Sequence, residues 1–230
     1  MKIGLQCSFD HGYMPLALMT WFSNKVEYAN RHGYSTHAKV YHNNHAIKHG
    51  NASRNDIDYR ASHGYLKIDH VKDILEKTDV DWLWVTGCDS MVTNFNIKLE
   101  DIIDNNYHLI IASDQNAQVN ADSFLIRNSP EGRHYIDTIS KSVEQYRHQM
   151  WLENQAMIDM FGTFLPMTKL VPQRTINAYN YDLYPLPKPN LDKLGTDGNW
   201  QKGDLLIHWP GVDFHRRVQL FSHYNNLIEE

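Results

Sequence analysis

The sequence predicts a layered α/β fold built on a mixed, largely parallel sheet, and three observations carry that expectation. The first is the run Trp82, Leu83, Trp84, Val85, apolar, aromatic and β-branched, with acids before it and Gly87 after it, which reads as a buried strand. The second is alternation: strand-like segments and segments of helical period follow one another along most of the chain. The third is size. A chain of 230 residues buries a core without staples, and its two cysteines, Cys7 and Cys88, sit among apolar strand-like neighbours as reduced thiols would. One domain spanning residues 1–230 is the simplest organisation.

The elements follow in order. Residues 2–8 read as a strand whose carboxyl end leads into Asp10, His11 and Gly12. Pro15 suits the first turn of a helix in which Leu18, Phe22, Val26 and Ala29 recur at helical spacing, with Gly33 as the stop. Residues 36–41 alternate like a second strand, and residues 42–58 are polar without an apolar period, a long loop. Residues 60–77 place Tyr65, Ile68, Val71, Ile74 and Leu75 on one helical face ahead of the strand at Trp82. A short helix at 99–103 and buried strands at 108–113 and 124–127 come next. Ser129 as N-cap, Pro130 at the first helical position and Glu131 in the first turn open a helix expected to reach residue 149, and a further helix covers 153–161. Beyond it Pro166, Pro172, Pro185, Pro187 and Pro189 interleave with Tyr179, Tyr181, Leu183, Tyr184 and Leu186, an irregular but anchored excursion. Residues 204–208 form a last strand, and Asp213 caps a last helix.

Several function classes are disfavoured. Neither G-x-x-x-x-G-K nor G-x-G-x-x-G occurs, so phosphates are not cradled as in nucleoside triphosphatases or dinucleotide enzymes. A net charge of −5 argues against a general polyanion binder, although residues 25–67 hold seven Lys or Arg against three Asp or Glu, a stretch that is either a phosphate-facing surface or a solvated one. The first residues are too short an apolar run for a signal peptide, and no 18-residue apolar run follows, which predicts a cytosolic chain without membrane contact. His42, His45 and His49 have the spacing of a helical zinc site, but their Asn- and Gly-rich surroundings favour a plain loop. Trp200, Trp209 and Tyr179 read as core residues or as stacking platforms for a sugar or base.

Asp89 lies just past the strand at Trp82, outside the core. In open α/β sheets ligands bind beyond the carboxyl ends of the strands, so this carboxylate is placed to hold a metal and a phosphate, or else it caps the next turn.

Six segments in order then resemble one family: YANRHGY (28–34), RASHGYLKI (60–68), WLWVTGCDSMVTN (82–94), NADSFLIRNS (120–129), ENQAMI (153–158) and GDLLIHWPG (203–211). They are similar to the glycosyltransferase family of the yeast α-galactosyl and α-1,6-mannosyl transferases and the plant xyloglucan xylosyltransferases. The resemblance implies a GT-A nucleotide-diphospho-sugar fold, a Rossmann-like mixed sheet with helices on both faces, and metal-dependent transfer with retention from a nucleotide-diphospho-sugar to a hydroxyl.

By that resemblance Asp89 matches the second Asp of the family's D-x-D motif and His208 the late His of its metal site, the two holding Mn²⁺ or Mg²⁺, which would neutralise the diphosphate leaving group. Gln6, Cys7 and Ser8 at the end of the first strand would line the nucleoside, with Cys88 beside it in the D-x-D turn. Arg60 and Lys67 would lie near the diphosphate, if they are not merely solvated helix residues. Glu153 and Gln155 would flank the anomeric carbon, if they are not a helix surface. Two departures are visible: Gly87 replaces the first Asp of D-x-D, and Asp122 replaces a Gly, where it would accept hydrogen bonds from the donor sugar. The acceptor is expected to be a glycan precursor or a hydroxymethylated DNA base, in a bacterial or virus-infected cytosol. Gly87 also admits a catalytically impaired sugar-nucleotide binder.

Overall fold

The computed structural model of the chain describes residues 1–41, 57–115, 118–184 and 191–230, for residues 57–62 the backbone alone. The histidines His42, His45 and His49, the side chain of Arg60 and the prolines Pro185, Pro187 and Pro189 therefore lie outside the described residues. Nine strands are described, β1 (Ile3–Asp10), β2 (Ser35–Tyr41), β3 (Trp82–Thr86), β4 (Ser90–Val92), β5 (Leu109–Ser113), β6 (Val119–Arg127), β7 (Thr168–Val171), β8 (Ala178–Tyr179) and β9 (Leu206–His208). The helices are α1 (Met14–Ala17), α2 (Val26–His32), α3 (Ile57–Lys77), α4 (Pro130–Lys141), α5 (Val143–Tyr146), α6 (Leu152–Phe164), α7 (Gln173–Ile176) and α8 (Phe214–Asn225).

Six strands form one sheet in the order β2-β1-β3-β6-β5-β7. β1 pairs parallel with β2 and β3, and β5 parallel with β7, while β6 runs antiparallel to both of its neighbours. The sheet is mixed, with helices on both faces. β3 is buried throughout, and alternation splits it: Trp82 and Trp84 join the cluster containing Leu5, Trp21 and Tyr28, whereas Leu83 and Val85 join Ile68, Phe124 and Ile136 on the face covered by α3, α4 and α6. β7, β4 and β8 carry no strong strand signal in the sequence. They form because neighbours supply partners: β4 and β8 flank β9 in a second, three-stranded sheet.

Two helices differ from expectation. Residues 14–32 are helical, but Leu18–Lys25 is a π-helix joining α1 to α2, and the predicted apolar face is split: Leu18 and Phe22 are 55% and 44% exposed, whereas Ala29 is buried and Val26 packs against the core. The buried face is instead Thr20, Trp21, Asn24, Lys25 and Tyr28, three of them polar. Gly33 does stop the helix, at φ 73°. The helix opened by Ser129, whose side chain accepts from the Gly132 N–H, breaks at Ser142 rather than running on to residue 149.

Topology sets the site. β1 and β3 are parallel, so Ser8–Asp10 and Gly87–Asp89 leave the sheet at one edge, and antiparallel β6 enters there with Asp122, whose carbonyl accepts the Gly87 N–H at 2.9 Å.

Candidate active site

At that edge lies a cleft of about 710 Å³, in the size range of small-molecule sites. Its wall comes from β1 (Ser8, Asp10), the turn after β3 (Gly87, Cys88, Asp89), β6 (Asp122), α3 (His63, Gly64, Lys67), the start of α6 (Leu152, Glu153) and the start of α8 (Phe214, His215, Arg217).

Asp89 and His208 are brought together by the small sheet. Ser90 pairs with His208 in the β4–β9 ladder, and the Trp209 N–H donates to the Asp89 carbonyl at 3.0 Å. His208 Nδ1 bonds the Asn177 amide oxygen at 2.9 Å, so Nδ1 carries the hydrogen and Nε2 is left as the ring's acceptor in the neutral form. That buried Nε2 has no hydrogen-bond partner and faces Asp89 Oδ1 at 3.4 Å. An orphaned imidazole nitrogen beside a carboxylate, with its other nitrogen fixed, suits a divalent ion that accepts both nitrogen and oxygen. Among the described residues no group of three or more His, Cys, Asp or Glu converges, so these two would be the protein ligands and the remaining positions would fall to donor and water.

The turn holding Asp89 is clamped from below by the π-helix. Thr20 Oγ1 donates to the Cys88 carbonyl at 2.6 Å, Lys25 Nζ to the carbonyls of Gly87 at 2.8 Å and Ser90 at 2.5 Å, and the Asn24 amide exchanges two bonds with Val92. The wider π turn sets Thr20, Asn24 and Lys25 on one side, a role π segments often take at functional sites. Burial lowers the Lys25 ammonium below its ordinary value.

Arg217 completes this corner. Its Nη2 lies 2.9 Å from Asp89 Oδ2, Nε donates to the Trp209 carbonyl at 3.2 Å and Nη1 to the Tyr13 hydroxyl at 3.2 Å. Burial alone would raise the Asp89 carboxyl, but the charge of Arg217, and that of His208 when its ring is protonated, outweigh it and hold Asp89 well below the usual carboxylate range.

Across the cleft Lys67 Nζ bridges Asp122 Oδ1 at 2.6 Å and Glu153 Oε1 at 2.8 Å. Burial opposes its charge, yet the two carboxylates raise it above its ordinary value. Asp122 is 41% exposed, open to the cleft, while Glu153 is 10% exposed against α3. Gly64 permits that approach: a Cβ there would stand 1.9 Å from Glu153 Oε2. Gly87 is comparably confined, its Cβ position 2.6 Å from Asp89 Oδ1 and 3.6 Å from the Asp122 Cβ.

Not every expected residue reaches the cleft. Gln155 donates to Asp159 Oδ1 at 2.7 Å along the exposed side of α6, because two positions beyond Glu153 the helix has turned away from the cleft, and the intervening Asn154 spends its amide oxygen on the Ala121 N–H. Cys7 points into the core, where burial pushes its thiol up to about 12, and Cys88 touches the cleft as an inert buried thiol. Gln6 is wholly buried beneath Ser8, its amide donating to Ser8 Oγ at 2.6 Å and contacting His70 Nδ1 at 3.1 Å. Of the first-strand trio only Ser8 lines the cleft. Of the seven basic residues between Lys25 and Lys67, the four whose side chains are described form no free basic surface: Lys25 and Lys67 are buried, Arg31 pairs with Glu27 and Lys39 with Asp73. Tyr179 and Trp209 are core residues. No helix among the described residues is long and apolar enough to cross a membrane.

The galactosyl transferase GMA12/MNN10 family profile matches residues 10–109 and 103–219. An uncharacterised α-1,2-galactosyltransferase of Schizosaccharomyces pombe is 26% identical over 93% of this chain and 61% of its own, and an α-1,2-galactosyltransferase of the same yeast is 25% identical over 89% and 59%. The chain thus spans about three fifths of these relatives. Among solved structures, a glycosyltransferase involved in glycosylation of the major capsid of PBCV-1 superposes with a TM-score of 0.71 at 13% identity, covering 97% of this chain and 100% of that one. The galactosyltransferase LgtC, in complex with donor and acceptor sugar analogues, gives 0.58 at 16% identity over 96% and 95%. The fold is therefore the GT-A glycosyltransferase fold.

Proposed function

The chain belongs to the galactosyl transferase GMA12/MNN10 family, and from that premise we propose that it is a glycosyltransferase that moves a sugar, with retention, from a UDP-sugar to a hydroxyl of a glycan acceptor with the help of Mn²⁺ or Mg²⁺. The observation that carries this reading is the division of one cleft into two chemistries: Asp89, backed by the buried His208, on one side and the Lys67-bridged Asp122 and Glu153 on the other.

Asp89 and His208 would hold the ion, which supplies charge neutralisation to the diphosphate as the glycosidic bond breaks. Lys67 offsets the mutual repulsion of Asp122 and Glu153, so Asp122 can take hydrogen bonds from sugar hydroxyls and Glu153 can stabilise positive charge at the anomeric carbon. Gln155 has no place in this account. The cytosol is the compartment we propose for the reaction. The α-linkage in the relatives' names favours retention and makes UDP-galactose the first donor to test. A glycan acceptor is preferred to DNA because the basic residues described between Lys25 and Lys67 are buried or ion-paired.

Donor hydrolysis with Mn²⁺, followed by NMR of the first-formed anomer, tests the proposal. Release of the α-anomer supports it, release of the β-anomer sinks retention, and UDP-sugar binding without hydrolysis or transfer would leave a sugar-nucleotide-binding protein.

A further inference from the structure

Arg217 has no assigned part in the preceding account, yet it is the cation nearest the acid that must meet the ion. Its side chain is 7% exposed, and two of its three nitrogens are committed to Trp209 and Tyr13. The anchored stem presents one end, Nη2, to Asp89 at the cleft wall. Beneath the same turn Lys25 brings a second buried cation, bonded to the Gly87 and Ser90 carbonyls. Around a single carboxylate the protein therefore places two positive charges. Gly87 supplies no further carboxylate. A divalent ion entering this corner alone would meet two cations and one anion, and would have to take from Arg217 the carboxylate that neutralises it.

A diphosphate changes that balance, because it brings at least two negative charges and pairs of oxygens that suit a guanidinium fork. No glycine-rich loop is present to bind it. We propose that Arg217 is the diphosphate-binding residue of the cleft, that in the free protein it is held by Asp89, and that donor and ion bind together because the donor relieves Asp89 of its cation. The proposal rests on the reading of the cleft as a nucleotide-sugar site. It makes two affinities move in opposite directions on one substitution, which a merely structural role would not do.

The experiment uses the full chain with Arg217→Gln, whose amide keeps a donor at the level of Nε for the Trp209 carbonyl but which lacks the guanidinium end and its charge. Calorimetric titration with Mn²⁺ alone and with UDP at saturating Mn²⁺ gives the two constants, and circular dichroism checks folding. Losing one charge-assisted contact corresponds to roughly tenfold, so UDP should bind about tenfold more weakly and Mn²⁺ alone about tenfold more tightly than in the wild type. Unchanged UDP binding overturns the proposal, and weaker UDP binding without tighter Mn²⁺ binding overturns the hold on Asp89. Should the Gln variant not fold, Arg217→Lys carries the test: charge kept and fork lost, it should weaken UDP several-fold, and wild-type UDP affinity would overturn the assignment. Wild-type protein that binds no UDP at any Mn²⁺ concentration would instead sink the nucleotide-sugar reading beneath it.

Discussion

Asp89 serves the fold as well as the cleft. The carboxylate is 17% exposed and faces a guanidinium 7% exposed, so deleting either partner leaves the other charge buried without compensation. Asp89→Ala is expected to cost on the order of 3 kcal/mol of stability while abolishing transfer. A site beyond the strand end, as the sequence has it, would instead predict a silent change in stability; the ion pair with Arg217 is invisible in the sequence because the two positions meet only in three dimensions. Asp89→Asn keeps the shape and separates the roles. Since Arg217 and His208 outweigh burial, the folded pKa lies below the unfolded value near 3.8. The stabilisation is thus fully present above that value and is lost as pH falls through the lower folded pKa. Urea denaturation between about pH 6 and about pH 3 should lose more stability in the wild type than in Asp89→Asn. Parallel losses would mean that the pair contributes nothing to the acid limb.

The π-helix shows how an element can be read correctly as a helix and wrongly as to part of its face, and α3 how a face can be read correctly and a functional position on it missed. Leu18, Phe22, Val26 and Ala29 form an apolar series at helical spacing, yet Leu18 and Phe22 face outward because the inner side is occupied by Thr20, Asn24 and Lys25, whose hydrogen bonds satisfy the carbonyls of the turn under Asp89. A hydrophobicity pattern has no means of seeing polar groups that are buried because they are bonded. In α3 the expected face holds, with Tyr65, Ile68, Val71, Ile74 and Leu75 all buried. The unforeseen residue there is Gly64, a poor helix former that makes room for Glu153. Gly64→Ala would gain about 1 kcal/mol of helix propensity, but its Cβ cannot coexist with Glu153 Oε2 in place, so the carboxylate must leave Lys67. Donor hydrolysis should fall at least about tenfold with little change in melting temperature, one charge-assisted contact having been lost. Wild-type turnover in a folded Gly64→Ala protein would remove Glu153 from the reaction.

At the scale of the molecule, the layered α/β architecture was legible because strands and helices alternate, and Asp89 and His208 could be named because each ends or lies in a recognisable segment. What joins them was not legible: β4 and β8, three and two residues long, are strands only because β9 lies between them, and Arg217 reaches Tyr13 across 204 positions of sequence. The cleft therefore draws on β1, β3, β6, α3, α6 and α8, both halves of the chain. A ligand held there binds only the folded molecule and must stabilise it as a whole. If the diphosphate is held through an ion at Asp89 and His208, UDP at a hundredfold excess over its dissociation constant should add about 2.7 kcal/mol with Mn²⁺ present. In EDTA the diphosphate would meet Asp89, Asp122 and Glu153 with Arg217 to receive it and Lys67 already shared between two of those carboxylates, so the shift in melting temperature should shrink to a small fraction of its value with Mn²⁺. Melting curves with UDP in Mn²⁺ and in EDTA decide the matter: equal shifts would show that the protein's own cations suffice, and would take the ion out of the mechanism while leaving the nucleotide site in place.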